Sequence, residues 1–94
     1  MGSDGALTDL LKIPGGGSRH PASPETLDCR LHFMKMTGNE VFKHAVRCMC
    51  DAGQRVLNAC GMTVDLVDWV IPHQANMRII QAIASRLDIS MDKF

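Results

Sequence analysis

The sequence lacks a long apolar run, a secretion signal and an excess of charge of either sign. No stretch approaches the ~20 apolar residues that a membrane-spanning helix needs. The N-terminus has neither the basic start nor the apolar core of a signal peptide. The formal net charge is zero, and no basic stripe of the kind that binds nucleic acid is present. We therefore expect a cytoplasmic protein with no membrane and no nucleic-acid partner.

The sequence also lacks the cysteine pattern of a disulfide-rich domain or a zinc site. Disulfide-dense domains are secreted, and the four cysteines here follow no such signal. Cys48 and Cys50 lie two residues apart on a predicted helix, which places them roughly 200° apart around its axis. His44 and Cys48 share a helix face, but two ligands do not complete a tetrahedral zinc site. We predict no metal and free thiols at all four positions: Cys29, Cys48, Cys50 and Cys60.

A long helix is predicted over residues 39–60. Apolar and small side chains recur there three and four residues apart and form one stripe: Phe42, Ala45, Val46, Met49, Gly53, Val56, Leu57 and Cys60. Gly61 is a natural stop, because glycine tolerates the left-handed conformation that caps a helix. At ~1.5 Å per residue such a helix is ~33 Å long, enough to cross a large sheet.

A strand and a second helix are predicted after the long helix. The short apolar run around Trp69 has the length and bulk of a buried strand over 68–72, and Pro72 ends it. Apolar residues spaced three and four apart then predict a helix over 76–87. A short strand is also predicted over 31–36. The predicted order of elements in residues 31–94 is therefore strand, helix, strand, helix. This order is typical of a layered α/β fold.

Residues 1–30 are predicted to be mostly loop, because they contain most of the proline and glycine. A helical turn is expected over Thr8–Leu11. The run Gly15–Ser18 lacks the Gly-Lys-Ser/Thr ending of a phosphate-binding loop, so we interpret it as a flexible surface turn. Residues 1–94 as a whole are interpreted as a single fragment of one fold.

His73 is the strongest candidate for a functional side chain, because it lies where the predicted strand ends and a helix begins. Ligands bind at that edge of open α/β sheets. Backbone N–H groups and the positive end of the helix dipole lie near such a residue and favour a neutral imidazole. A neutral ring offers one N–H donor, as a group that stabilises an oxyanion does. A histidine that serves only the core or a helix cap is the alternative.

The motif around His73 resembles a known family. Pro-His-Gln-Ala-Asn, followed by Met-Arg-Ile-Ile, resembles the histidine motif of the β-ketoacyl-acyl-carrier-protein synthase III family. Four other segments resemble that family in order and spacing: Gly2–Gly5, Leu10–Leu11, Pro14–Arg19 and Met36–Lys43. The resemblance implies a partial thiolase-like fold, layered α/β/α, taken from the C-terminal half of such an enzyme.

The resemblance also implies an activity. These synthases start type II fatty acid synthesis by condensing an acyl-CoA with malonyl-acyl carrier protein, using a Cys-His-Asn triad, no cofactor and a homodimeric enzyme. His73 matches the triad histidine. No segment here resembles the Ala-Cys-Ala-Gly sequence around the triad cysteine, and the triad asparagine belongs to a Gly-Asn-Thr-Ser segment expected after Phe94. We therefore expect a fragment that is inactive alone.

Six further positions acquire roles from the resemblance. Gly38 and Phe42 match positions that line the pantetheine tunnel in that family, and Ala75 and Asn76 match positions at its mouth. Lys43 and Arg78 match positions on the rim that meets the carrier protein. Structural alternatives stay open for several of them. Phe42 is also suited to an ordinary core position, Asn76 to a helix N-cap, and both cations to solvated surface.

Two other functions are consistent with the sequence. Polyketide-type and head-to-head condensing enzymes share the thiolase fold and a similar histidine. A non-catalytic helical interaction module is the second alternative, in which the apolar helix stripe would need a partner surface. The complete Gln-Ala-Asn-x-Arg run and the Gly-Asn-Glu-Val-Phe-Lys helix start favour the fatty acid enzyme.

Overall fold

A computed structural model describes residues 3–94, so Gly2 of the Gly2–Gly5 motif lies outside the described residues. The chain divides into two compact units, Met1–Val41 and Phe42–Phe94. Helix α2 (Gly38–Cys60) starts in the first and continues in the second. No helix in the described range is both long and apolar enough to span a bilayer.

The first unit contains a small sheet. Strand β1 (Leu11–Lys12) pairs antiparallel with β2 (Lys35–Met36), with Leu11 opposite Met36. A 3-10 helix, Gly5–Leu10, precedes β1 and is capped by the Asp4 carboxylate, which accepts a hydrogen bond from the Ala6 N–H. The strand predicted over 31–36 is therefore confined to its last two residues. The turn expected over Thr8–Leu11 is part of a longer helix.

Helix α1 (Pro24–Asp28) lies in the region that was predicted to be mostly loop. Ser23 caps it, and the Ser23 and Thr26 side chains each bond to the other residue's backbone N–H, a reciprocal capping box. Pro24 follows the cap at the first helical position, where its missing N–H costs no intrahelical bond. The Thr26 hydroxyl also lies 2.9 Å from His32 Nε2.

The glycine run after β1 is an ordered, hydrogen-bonded turn. Gly15 is buried, its N–H donates to the Leu31 carbonyl at 2.8 Å, and an added Cβ would lie only 3.0 Å from the Leu31 side chain. Gly16 has a φ of +93°, in the region that favours glycine. Packing and backbone conformation, rather than flexibility, account for these two glycines, which corrects our interpretation of a flexible surface turn.

The second unit is built from α2 and helix α3 (Met77–Leu87), whose bounds confirm both predicted helices. Gly61 ends α2 with a φ of +62°, as its glycine predicts. Asp88 ends α3 in the left-handed conformation. The two helices approach closely at Gly53, where an added Cβ would lie 3.4 Å from Leu87 Cδ1.

The core of this unit lies between the two helices. Val46 and Cys50 of α2 and Ile83 of α3 form a buried cluster. Partly buried apolar side chains surround it: Phe42, Met49, Ile79, Ala82, Leu87 and Phe94. Ile83 is 2% exposed, the lowest value in the core together with that of Ala84. The cluster thus fixes the packing of the first half of α2 on α3.

Replacing Ile83 by alanine should lower the free energy of unfolding by about 2–4 kcal/mol, because it leaves a cavity that the helices close only in part. Urea denaturation of the chain, followed by circular dichroism, measures this loss. Gln81→Ala, an exposed site on the same helix, is the control and should change stability by less than about 0.5 kcal/mol. Equal effects of the two substitutions would contradict this account of the core.

The predicted strand over 68–72 is not formed. The described residues supply no partner strand there, and the segment's one backbone–backbone hydrogen bond joins the Val70 N–H to the Lys93 carbonyl at 2.8 Å. Trp69 and Ile71 are 72% and 88% exposed. A strand is defined by its ladder, so this segment has the sequence of a strand without its hydrogen bonds.

Candidate functional site

His73 lies in the exposed segment that leads into α3. Its ring has no hydrogen-bond or ion-pair partner among residues 3–94, and the residue is exposed. His73 is thus neither a core histidine nor the cap of α3, since Asn76 takes the cap position. Neither structural alternative for His73 is observed within residues 3–94.

The segment before His73 is held by the C-terminal residues. A 3-10 helix, Met91–Lys93, brings Lys93 against it. The Lys93 carbonyl accepts from the Val70 N–H at 2.8 Å, and the Lys93 ammonium donates to the Val67 carbonyl at 2.6 Å. We call this pair of hydrogen bonds the Lys93 clip. It substitutes for the missing strand ladder at this point.

Asn76 holds the segment on the other side of His73. Its Oδ1 accepts a hydrogen bond from the Arg78 N–H at 2.9 Å, which satisfies one of the free N–H groups of the first helical turn. The side-chain oxygen of Asn76 therefore caps α3, as the structural alternative for this residue predicted. Asn76 is exposed, and its amide nitrogen makes no hydrogen bond within residues 3–94, so it is available to donate to a ligand.

The structure brings two of the candidate residues into contact. The Arg78 guanidinium carbon lies 5.7 Å from the centre of the Phe42 ring, within the range of a cation–π interaction. Phe42 itself is half-buried and packs on the core cluster. The first turn of α3 thus lies against Phe42 of α2. Phe42 is therefore a core contact, and its role in lining a tunnel stays a prediction.

The remaining candidates are exposed. Lys43 lies on the outer face of α2, and Ala75 lies in the turn before the Asn76 cap. Gly38 is the first residue of α2, and a Cβ there would meet only Met36 Cε, at an ordinary 3.9 Å. The chain's own packing therefore does not require glycine at this position.

One polar pair was not predicted from the sequence. Arg47 Nη2 lies 3.1 Å from His44 Nδ1 on α2. A guanidinium only donates, so Nδ1 is the acceptor and the imidazole proton is on Nε2. The signal that would have found the pair was its spacing of three residues on a helix.

The thiols and possible metal ligands form no site in the described range. Cys29, Cys48 and Cys60 are exposed free thiols, whereas Cys50 lies in the core. Burial raises the pKa of the Cys50 thiol, which keeps it protonated and a poor nucleophile at neutral pH. No group of three His, Cys, Asp or Glu side chains among residues 3–94 is placed to hold a metal ion.

The sequence and fold of this chain are similar to those of known proteins. The family model described as 3-oxoacyl-[acyl-carrier-protein (ACP)] synthase III C terminal matches residues 57–94, which include His73, Asn76 and Arg78. The β-ketoacyl-[acyl-carrier-protein] synthase III of Chlamydia caviae is 52% identical over 93 residues. The chain is thus similar to the C-terminal part of β-ketoacyl-acyl-carrier-protein synthase III. The synthase III of Clostridioides difficile strain 630 is 48% identical over 93 residues.

The alignments to these two synthases III each cover 99% of this chain and 28% of the relative's length. Crystallised 3-oxoacyl-(acyl carrier protein) synthase III from Pseudomonas aeruginosa PAO1 superposes with a TM-score of 0.77 at 35% identity, over 98% of this chain and 25% of that one. The chain thus spans about a quarter of the length of these synthases. The predicted fold class, a partial thiolase-like α/β fold, is confirmed, although the 68–72 strand lacks its ladder.

Proposed function

We propose that this chain forms the histidine-bearing part of an acyltransferase that starts type II fatty acid synthesis. The reaction would be the decarboxylative condensation of an acyl-CoA with malonyl-acyl carrier protein, without a cofactor. The observation that carries the proposal is an accessible His73 immediately before a capped helix, within a segment 52% identical to a synthase III. We further propose a cytoplasmic, homodimeric enzyme.

The chemistry defines what His73 would have to do. An acyl group is first transferred from CoA to a cysteine thiolate. Malonyl thioester then loses CO2, and the electron pair of the broken C–C bond forms an enolate whose carbon attacks the acyl-cysteine, releasing the thiolate. Negative charge accumulates on the thioester oxygen as CO2 leaves. Two neutral N–H donors at that oxygen would stabilise the transition state by several kcal/mol.

In this proposal the Nε2–H of His73 is one donor, and an asparagine amide outside these 94 residues is the other. The exposure of the ring and its lack of a partner within residues 3–94 support this role, because the donor is free to meet a substrate oxygen. A neutral ring also suits the reaction. An imidazolium would stabilise the malonyl carboxylate in the ground state and so hinder its loss.

The other candidates would position the substrate. Phe42 and Gly38 would line the passage for the pantetheine arm, with Ala75 and the free amide nitrogen of Asn76 at its mouth. Lys43 and Arg78 would form the cationic rim that meets the acidic carrier protein and speeds encounter with it. The contact between the Arg78 guanidinium and the Phe42 ring supports placing the rim beside the passage.

A chimeric enzyme tests the proposal. The matched 93-residue segment of the Chlamydia caviae synthase III is replaced by the corresponding residues of this chain, and condensation of acetyl-CoA with malonyl-acyl carrier protein is measured. We expect a folded chimera with activity within about tenfold of the parent. A chimera that folds as a dimer but does not condense would contradict the proposal. If the long graft fails to fold, a shorter graft of residues 57–94 gives the same test of His73.

Asn76 allows its two roles to be separated. Asn76→Ala should destabilise α3 by about 1 kcal/mol through loss of the cap. Asn76→Ser keeps a capping oxygen but removes the amide donor, so it should leave thermal stability nearly unchanged while raising the KM for malonyl-acyl carrier protein. Thermal denaturation and steady-state kinetics of the chimera measure both effects. An unchanged KM in Asn76→Ser would show that Asn76 is only a cap.

A further inference from the structure

The segment held by the Lys93 clip leaves one backbone edge open. In a strand, the N–H and C=O of one residue point to one edge and those of its neighbours to the other. Val70 uses the first edge, where its N–H donates to the Lys93 carbonyl. The N–H and C=O groups of Trp69 and Ile71 would lie at the second edge, and they have no hydrogen-bond partner within residues 3–94. An open edge of this kind can pair with an added strand.

Local backbone preferences suit this segment to a strand. Val67, where it begins, has φ and ψ of −84° and 120°, in the extended region. Ile71 precedes Pro72, which disfavours the helical region for it, and Val70 and Ile71 are both β-branched. The segment is therefore suited to pair as a strand when a partner is available.

The side chains along the open edge are apolar and exposed. Trp69 and Ile71 line a cavity of about 380 Å³ together with Val56 of α2 and Leu87 of α3. Val56 is 62% exposed, and no charged or polar side chain lines the cavity. The surroundings of the edge thus favour an apolar strand over a charged partner.

The segment is complementary to a second copy of itself. Antiparallel pairing across the open edge, centred on Val70, places Trp69 of one copy opposite Ile71 of the other. Each such pair would exchange two N–H···O=C bonds, which gives four backbone hydrogen bonds per dimer. An aromatic ring opposite a β-branched side chain is also a favourable cross-strand pair. The two Asp68 carboxylates would lie at opposite ends of the pairing, and the formal net charge of zero favours association.

We propose that the edge formed by Trp69 and Ile71 binds a second copy of this chain, in a twofold dimer built by antiparallel pairing of residues 68–72. The inference goes beyond the proposed function and does not depend on it, because it concerns the 94-residue chain itself and not the dimer proposed for the complete enzyme. The pairing involves fewer residues than the roughly 20–30 per partner of a standard interface, so we expect a dissociation constant on the order of 10–100 µM.

Fluorescence of the 94-residue chain tests the proposal directly. Trp69 is its only tryptophan, and the chain has no tyrosine, so the emission reports on this edge. Raising the concentration from about 1 to 500 µM, a range that spans the expected constant, should shift the emission to shorter wavelength as Trp69 leaves water. Sedimentation equilibrium over the same range should show monomer and dimer. A chain that stays monomeric throughout, with no emission shift, would overturn the inference.

Two exposed apolar residues give a matched pair of variants. Ile71→Lys places an ammonium on the pairing edge and should raise the dissociation constant about tenfold or more. Leu27→Lys makes the same kind of change on α1, at a residue that is 61% exposed, and should leave the constant unchanged. Circular dichroism should show equal helix content in both, because neither side chain is buried. Equal weakening by the two substitutions would contradict pairing at this edge.

Amide hydrogen exchange of the unsubstituted chain tests the register. The Trp69 and Ile71 amides should exchange about fivefold more slowly, or slower still, at the highest concentration than at the lowest. The Asp68 amide would point to the same edge as that of Val70 and should not change. Slower exchange at Asp68 but not at Trp69 would refute the pairing.

A different occupant of the edge is the last outcome to be tested. The part of the Chlamydia caviae synthase III outside the matched 93 residues is added to the chain as a separate polypeptide. We expect the Trp69 and Ile71 amides to be protected without this addition, through the second copy. A chain that stays monomeric and gains protection only when the polypeptide is present would overturn the inference, because the occupant would then be the remainder of the synthase fold.

Discussion

Replacing His73 by alanine in the chimera should lower the rate of malonyl decarboxylation by about 100-fold or more. That is the usual cost of removing one donor from an oxyanion site. Acyl transfer from acetyl-CoA to the cysteine should fall much less, because that step builds its charge elsewhere. The two half-reactions are measured separately, with radiolabelled acetyl-CoA for transfer and CO2 release for decarboxylation.

The control is a histidine with no proposed role. His20 is exposed in the first unit, and His20→Ala should leave both half-reactions unchanged. Thermal denaturation of each variant excludes a loss of fold. An equal loss of both half-reactions in His73→Ala would show that His73 has a broader role than oxyanion stabilisation.

The 94-residue chain alone should give no turnover to acetoacetyl-acyl carrier protein. No segment of it resembles the sequence around the acyl-accepting cysteine. Its buried thiol, Cys50, is held protonated because burial raises its pKa. The exposed thiols can acquire label slowly from acetyl-CoA, so condensation product rather than acylation is the criterion. The chimera serves as the positive control. Repeated turnover by the purified chain would contradict the assignment of the nucleophile to another segment.

Both long helices could be predicted from the sequence because their signals are local. The apolar spacing of α2, its Gly61 stop and the Asn76 cap of α3 each depend on residues within one or two turns. Helix α1 had a local signal as well. Ser23, Pro24 and Thr26 are a capping box with proline at the first position, and the prediction of loop over residues 1–30 overlooked it.

The strand over 68–72 could not be predicted in the same way. Trp69 and Ile71 have the side chains of a buried strand, but a ladder requires a second strand, and the described residues contain none beside them. Sequence pattern specifies which segment is suited to a sheet. It does not specify whether the partner is present.

The site was predicted as a set of residues but not as a set of contacts. His73 and Asn76 were identified by their motif, and the cap geometry follows from Asn76 itself. The contact between Arg78 and Phe42 joins residues 36 positions apart and depends on the packing of α2 on α3. The pairing of His44 with Arg47 joins residues three positions apart on α2, a local signal that the sequence analysis overlooked.

The Lys93 clip has a consequence for how the imidazole would meet a substrate. The segment that bears His73 is pinned at Val70 by the clip and at Asn76 by the cap, so it is a short bridge fixed at both ends. A bridge of this length has few backbone conformations between its supports. The backbone of His73 is therefore held in place although the residue is exposed to solvent. A bound thioester would have to restrict only the side-chain torsion angles of His73.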